Sequence, residues 1–182
     1  MNMESERKKE VINICLDHFI DNGLEASTRS LSKALNLQNA GLYYYFESKD
    51  EAVVLCAEEA VYRLENRLIA PAMKEIKNPE LMLKQIQSCA DEMAPTMRFL
   101  VSVCVSETYR EKIKPVLNRL SSRYEQYSER FAEELNCELE EIEPYVYMGA
   151  TAVANYMIFG EDNIIYPQFK IIKKKISKLL SA

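Results

Sequence analysis

The chain has 182 residues, 48% hydrophobic and 28% charged, with four glycines, six prolines and a net charge of −5. That length can bury about 70% of its unfolded surface. The scarcity of turn residues beside abundant Leu, Ala, Glu, Lys and Met excludes a turn-rich all-β fold and predicts an all-α one.

Taken in order, residues 7–22 place Val11, Ile12, Cys15, Leu16, Phe19 and Ile20 on one stripe and stop at Gly23, which predicts a first helix with a glycine C-cap. His18 stands three residues after Cys15. With no orienting third group the two read as packing-edge residues, and no catalytic site is expected. Ser27 and Thr28 offer N-cap oxygens to a second helix from about Thr28 to Leu35, and Asn36 tolerates the left-handed turn that must follow. Leu37 then re-enters the core. A third helix carries Leu42 and Phe46 at i, i+4 and leaves Gln38, Asn39, Gly41 and Tyr45 outward. Two short helices, a tight turn and an uncharged outer face rich in hydrogen-bonding groups have the layout of a helix-turn-helix that reads DNA.

Ser48 with Glu51 forms a capping box. It opens a fourth helix through Val53, Val54, Ala57, Val61, Leu64 and Leu68, uninterrupted toward Pro71. Pro79, Pro95 and Pro115 each predict a helix start, and the helix after Pro115 carries Leu117, Leu120, Tyr124, Tyr127 and Phe131 as a narrow seam. An acidic connector, residues 138–143, precedes Pro144. Two helices follow, residues 146–159, dense in small residues, and residues 164–180, with Ile165, Phe169, Ile172, Ile176 and Leu179 on one side. The lysines 170, 173, 174, 175 and 178 read as a solvated face near a helix C-terminus.

The stretch Ser27–Lys49, with Gly23, Thr28, Arg29 and Leu31 followed by Leu42, Tyr43, Tyr44, Tyr45, Phe46, Ser48 and Lys49, closely resembles the DNA-binding domain of the TetR family of bacterial transcriptional regulators. The likeness covers roughly residues 7–55, and it departs from the family pattern at Asn36, Gln38 and Tyr45, where Gly, a Ser/Thr-type cap and His are usual. It implies an all-α protein of about nine helices: a three-helix DNA-binding domain, residues 1–48, and a larger ligand-binding and dimerisation domain, residues 49–182. By the same resemblance the protein is a repressor, released from a palindromic operator in double-stranded DNA by a small effector. Its last two helices pair with those of a second subunit, a role that the apolar faces at Val153/Met157 and Ile165/Ile172 fit.

Arg29, Gln38 and Asn39 can make bidentate contacts with base edges. Thr28, Tyr43, Tyr45 and Lys49 suit phosphates, and Gly41 permits close backbone approach. A soft, adaptable lining for a largely apolar effector comes from Cys89, Met93, Met97, Phe99, Cys104, Tyr124 and Tyr127. Residues 1–50 hold six Lys/Arg against eight Asp/Glu, so placement and not net charge must serve the phosphates. Arg7, Lys8 and Lys9 form a basic leader for that purpose. The five cysteines, Cys15, Cys56, Cys89, Cys104 and Cys137, are scattered with no C-x-x-C pair, which predicts reduced thiols, no metal site and no cofactor. A thiol-based redox regulator and a helical protein-interaction module without specific DNA binding are the alternatives. With no apolar run of about 18 residues and no signal core, the chain is expected to be cytoplasmic, without a membrane partner.

Overall fold

A computed structural model of the chain describes residues 3–160 and 162–181, apart from the side chains of residues 3–5, 39, 40, 162 and 164. Among the described residues there is no strand. The helices are α1 (Met3–Asn22), α2 (Thr28–Ala34), α3 (Lys49–Leu64), α4 (Ala70–Ala72, a single turn), α5 (Pro79–Val105), α6 (Lys114–Leu135), α7 (Leu139–Phe159) and α8 (Asp162–Leu180). The all-α expectation holds, but seven helices carry the fold where about nine were expected.

Two differences account for the count. Pro95 lies inside α5 instead of opening a helix. Proline removes one intrahelical donor, and the carbonyl that loses its partner belongs to Asp91, on an exposed side of the helix where water can replace it. The expected third helix is a 3-10 turn, Asn39–Tyr44. The acidic stretch 138–143 is also no connector. It falls within the start of α7, whose first turn places Glu140 and Glu141 where the helix dipole favours negative charge.

The fourth helix is interrupted. Its α-helical register ends at Leu64, and the Ala70 amide bonds to the Glu65 carbonyl five residues back, making a π-turn over Glu65–Ile69. Pro71 supplies the reason, since its ring would strike the carbonyl four residues before it in a regular helix.

Packing divides the chain into two compact units, Met1–Tyr62 with Arg98–Val116, and Arg63–Met97 with Leu117–Ala182. In the first, Val11, Cys15, Leu16 and Phe19 of α1 are buried with Leu31, Leu42, Phe46 and Val53, and Phe99 of α5 stacks on Phe19 with ring centroids 6.2 Å apart. In the second, α7 and α8 pack on each other. A Cβ added at Gly149 would stand 3.2 Å from Cδ1 of Ile172, so the glycine is what lets the two helices come close. Val153, Met157, Ile165 and Ile172, expected to meet a second subunit, are all buried within the single chain, because each lies on the side of its helix that faces this core.

The turn after α2 is fixed by backbone geometry. Asn36 has φ +54°, the Leu37 amide donates to the Ser32 carbonyl at 2.8 Å, and the Asn36 amide donates to the Lys33 carbonyl at 3.0 Å. That pair of bonds is a Schellman motif, with Asn where glycine is commonest. Leu37 then meets Gly41 so closely that a Cβ on Gly41 would stand 2.9 Å from the Leu37 Cβ. Because neither Cβ can rotate away, Gly41→Ala is expected to cost about 1–3 kcal/mol in chemical denaturation. A stability within about 0.5 kcal/mol of wild type would show that the turn relaxes freely.

Candidate nucleic-acid interface

Three elements build the site, two of them capped by serines. Ser27 caps α2, its Oγ accepting from the Ser30 amide at 3.1 Å. The 3-10 turn follows, with Gly41 donating to the Gln38 carbonyl at 2.7 Å and Tyr45 to the Leu42 carbonyl at 3.0 Å. Six residues of 3-10 helix do not hold together alone. Burial of Leu42 and Phe46, 0% and 2% exposed, contributes about 1.5–3 kcal/mol each and fastens the turn. Ser48 then caps α3, accepting from the Glu51 amide at 3.1 Å. The reciprocal bond of the expected capping box goes one residue further out, with the Glu51 carboxylate accepting from the Glu47 amide at 2.5 Å.

α1 is tied to α2 through His18. The Ser30 hydroxyl donates to the Ser27 carbonyl at 2.8 Å, so at the 3.0 Å contact between His18 Nε2 and Ser30 Oγ the imidazole is the donor. Asn22 donates to Nδ1 at 3.3 Å. Both bonds require the neutral Nε2–H tautomer, and His18 is a structural bridge.

This frame leaves a continuous set of side chains facing solvent. Arg29, Gln38, Tyr43 and Tyr44 are exposed, while Thr28, Tyr45 and Lys49 are half-buried. The Asn39 side chain lies outside the described residues. Tyr44 is 76% exposed, its ring edge-on to Tyr45 at 5.0 Å. Lys33, in the last turn of α2 and exposed, was missed because it carries no motif signal. Gly41 has a packing reason in Leu37.

The cations divide into two groups. Those of the leader are engaged within the chain: Arg7 pairs with Glu10 at 2.5 Å, Lys8 approaches Glu51 at 4.0 Å, and Lys9 stands 4.5 Å above the Tyr62 ring. Hydrogen bonds to Tyr45 and Glu10 hold the Arg7 guanidinium above its ordinary pKa. Arg29 and Lys33 carry no ion pair among the described residues.

The residues expected to line an effector pocket fall in both units. Phe99 and Cys104 belong to the first unit, where Phe99 packs on Phe19. Cys89, Met93, Met97, Tyr124 and Tyr127 belong to the second. There Tyr127 donates to Glu65 at 2.6 Å, and Arg123 binds the same carboxylate at 2.5 Å. Burial first, then the bond to Glu65, push the Tyr127 hydroxyl pKa well up. Tyr124 leans on Tyr147, centroids 5.7 Å apart. Glu65, Arg123 and Tyr147 therefore join a cluster that only the fold brings together. A separate open groove of about 240 Å³ runs between Pro79, Glu80 and Leu83 of α5 and Tyr166, Phe169, Lys170 and Lys173 of α8. It contains none of the seven expected lining residues.

Neither a protein-family model nor a curated protein matches the sequence. Among solved structures, a candidate transcriptional regulator from Rhodococcus sp. RHA1 superposes with TM-score 0.62 at 17% identity, covering 96% of this chain and 94% of that one. BioQ, solved with its natural double-stranded DNA operator, superposes with TM-score 0.53 at 14% identity, covering 96% and 98%. The fold is TetR-like. At these identities the likeness establishes the architecture alone. No described helix is long and apolar enough to cross a membrane, and no group of three His, Cys, Asp or Glu among the described residues is placed to hold a metal.

The thiols bear on the redox alternative, which needs an exposed cysteine of low pKa. Burial pushes the Cys15 thiol up to about 11 and raises Cys104 and Cys137 as well. Buried Cys56 donates to the Ile12 carbonyl at 3.6 Å. Since unfolded Cys15 ionises near 9.0 while the folded thiol keeps its proton to about 11, the folded state is favoured below pH 9. Stability is then lost as pH rises through that window, by up to about 3 kcal/mol. Urea denaturation from pH 8 to 11 is expected to show a shallower fall for Cys15→Ala than for wild type, and parallel curves would remove the assignment.

Phosphate contact can be tested through salt. If a dimer meets DNA through Arg29, Lys33 and Lys49 of each subunit, cations without an ion pair among the described residues, the expected log–log salt slope is about −5. Lys33→Ala and Lys49→Ala should each flatten it by about 2, one contact per subunit. Arg7→Ala should leave it nearly unchanged. A slope that flattens with Arg7→Ala and not with Lys33→Ala would reverse the assignment.

Proposed function

We propose that the protein is a DNA-binding transcriptional regulator, a repressor acting as a homodimer and released from a palindromic operator by a small, largely apolar effector. The observation that carries the reading is the outer face of the helix-turn-helix, where Gln38, Tyr43 and Tyr44 stand exposed on a turn locked by Asn36, Leu42 and Phe46, flanked by Arg29, Lys33 and Lys49. Gln38, Arg29 and Asn39 supply base-edge chemistry, and Thr28, Tyr43, Tyr45 and Lys49 supply backbone contacts. The operator-bound BioQ lends the DNA reading further support.

The homodimer is supported by a different face of α7 from the one expected. From Pro144 to Gly160 the helix carries no charge, and Tyr147, Thr151 and Phe159 are exposed beside half-buried Ala154 and Ile158. A helix apolar all round is normally covered on every side, and a symmetric partner covers this one. The effector reading is supported by Cys89, Met93 and Met97 on α5 and the Tyr124–Tyr127–Tyr147 aromatics, which offer apolar area with polar handles.

Selection of bound fragments from random duplex DNA tests the whole reading. A palindrome with half-sites about 34–36 Å apart is the expected result, with sedimentation giving a dimer at micromolar concentration. Thr151→Arg, in the middle of the uncharged face, should yield monomers that bind the selected duplex at least about tenfold more weakly, since avidity is lost. No enriched sequence would overturn the regulator reading, and a monomeric wild type would overturn the dimer.

A further inference from the structure

Lys112 lies far along the chain, in the segment between α5 and α6, yet it pairs with Asp50 in the first turn of α3. The segment is ordered by its own turns. Tyr109 and Arg110 donate to the Ser106 carbonyl, and Ile113 donates to the Tyr109 carbonyl. Tyr109 and Ile113 are buried, 7% and 0% exposed, which pins the backbone on both sides of Lys112. The ammonium group stands 5.9 Å from the Tyr109 ring centroid.

Stability is not what this pair changes most. Its side chains are 45% and 42% exposed, and ion pairs in such positions contribute little. Local charge is what it changes. Glu47, Asp50 and Glu51 cluster at the start of α3 against Lys8 and Lys49, with Lys8 drawn to Glu51. Lys112 offsets the Asp50 carboxylate within that patch. Without it, a bare carboxylate stands one residue from Lys49.

We infer that Lys112 is a positioning residue for DNA binding, masking Asp50 so that Lys49 can meet a backbone phosphate. The inference rests on the DNA-binding reading above. It assigns to residues 106–113 a share in the reading head, because a charge carried there makes the approach to the phosphate less repulsive.

The test uses the full-length chain, with labelled duplexes of about 30 base pairs bearing either the selected sequence or a scrambled one, and circular dichroism as the check on folding. Lys112→Ala is expected to weaken binding to both duplexes by about three- to tenfold, a deficit that fades as salt rises. Asp50→Asn should bind at least as tightly as wild type. The double variant should return to within about twofold of wild type, since the unmasked charge is gone. Should Lys112→Ala unfold, Lys112→Gln keeps an aliphatic stem over Tyr109 and gives the same comparison. If Asp50→Asn weakens binding as much as Lys112→Ala and the double variant does no better, the pair is a structural latch and the inference is overturned. It is overturned too if Lys112→Ala has no effect while wild type binds. A wild type that prefers no duplex and responds to no salt change defeats the DNA-binding reading itself.

Discussion

The left-handed backbone at Asn36 is the constraint on which the exposed face of the turn depends. It reverses the chain after α2 within one residue and delivers Leu37 against Gly41, leaving no room for a side chain at that contact. Once Leu37 and Gly41 are in contact, Leu42 and Phe46 can reach the core of α1 and α3, and the residues between them can only face outward. A 3-10 turn suffices here because burial and not its own hydrogen bonding holds it in place. The exposed tyrosines and the glutamine are therefore presented by a part of the chain with little freedom to rearrange, the condition under which a few polar groups can discriminate between base pairs.

Charge is arranged with the same economy. For the proposed DNA-binding role an acidic chain must separate its cations from its carboxylates, and here they are divided by use as much as by position. The leader cations Arg7, Lys8 and Lys9 are taken up by Glu10, Tyr45, Glu51 and Tyr62. They knit α1 to its neighbours. Arg29 and Lys33, at the two ends of α2, have no such obligations among the described residues. Adding up charge along the sequence hides this division.

The second unit shows how proline placement shapes helices without ending them. Pro71 slips α3 into a π-turn, and Glu65 at its start is bound by both Arg123 and Tyr127. Pro95, Pro144 and Pro167 are absorbed within α5, α7 and α8. Each removes a single donor, and long helices held by packing tolerate that loss.

Much of this was legible in the sequence because it is set by local chemistry. Gly23 and Asn36 announce left-handed caps, Ser27 and Ser48 announce helix starts, and the spacing of Val11, Cys15, Leu16 and Phe19 announces a buried stripe; all behave as their residue types require. Of the residues read as outward from the inward pair Leu42 and Phe46, Gln38 is exposed, whereas Gly41 and Tyr45 are half-buried. What the tertiary structure alone decided is which surface covers which. Nothing in residues 98–116 says that Phe99 will lie on Phe19 or that Lys112 will reach Asp50. Nothing in α7 says which of its apolar sides faces α8 and which stays exposed. A hydrophobic period fixes that a face is buried, but the hydrophobic effect has no direction, so the identity of the covering element is settled only when every helix competes for the same interior.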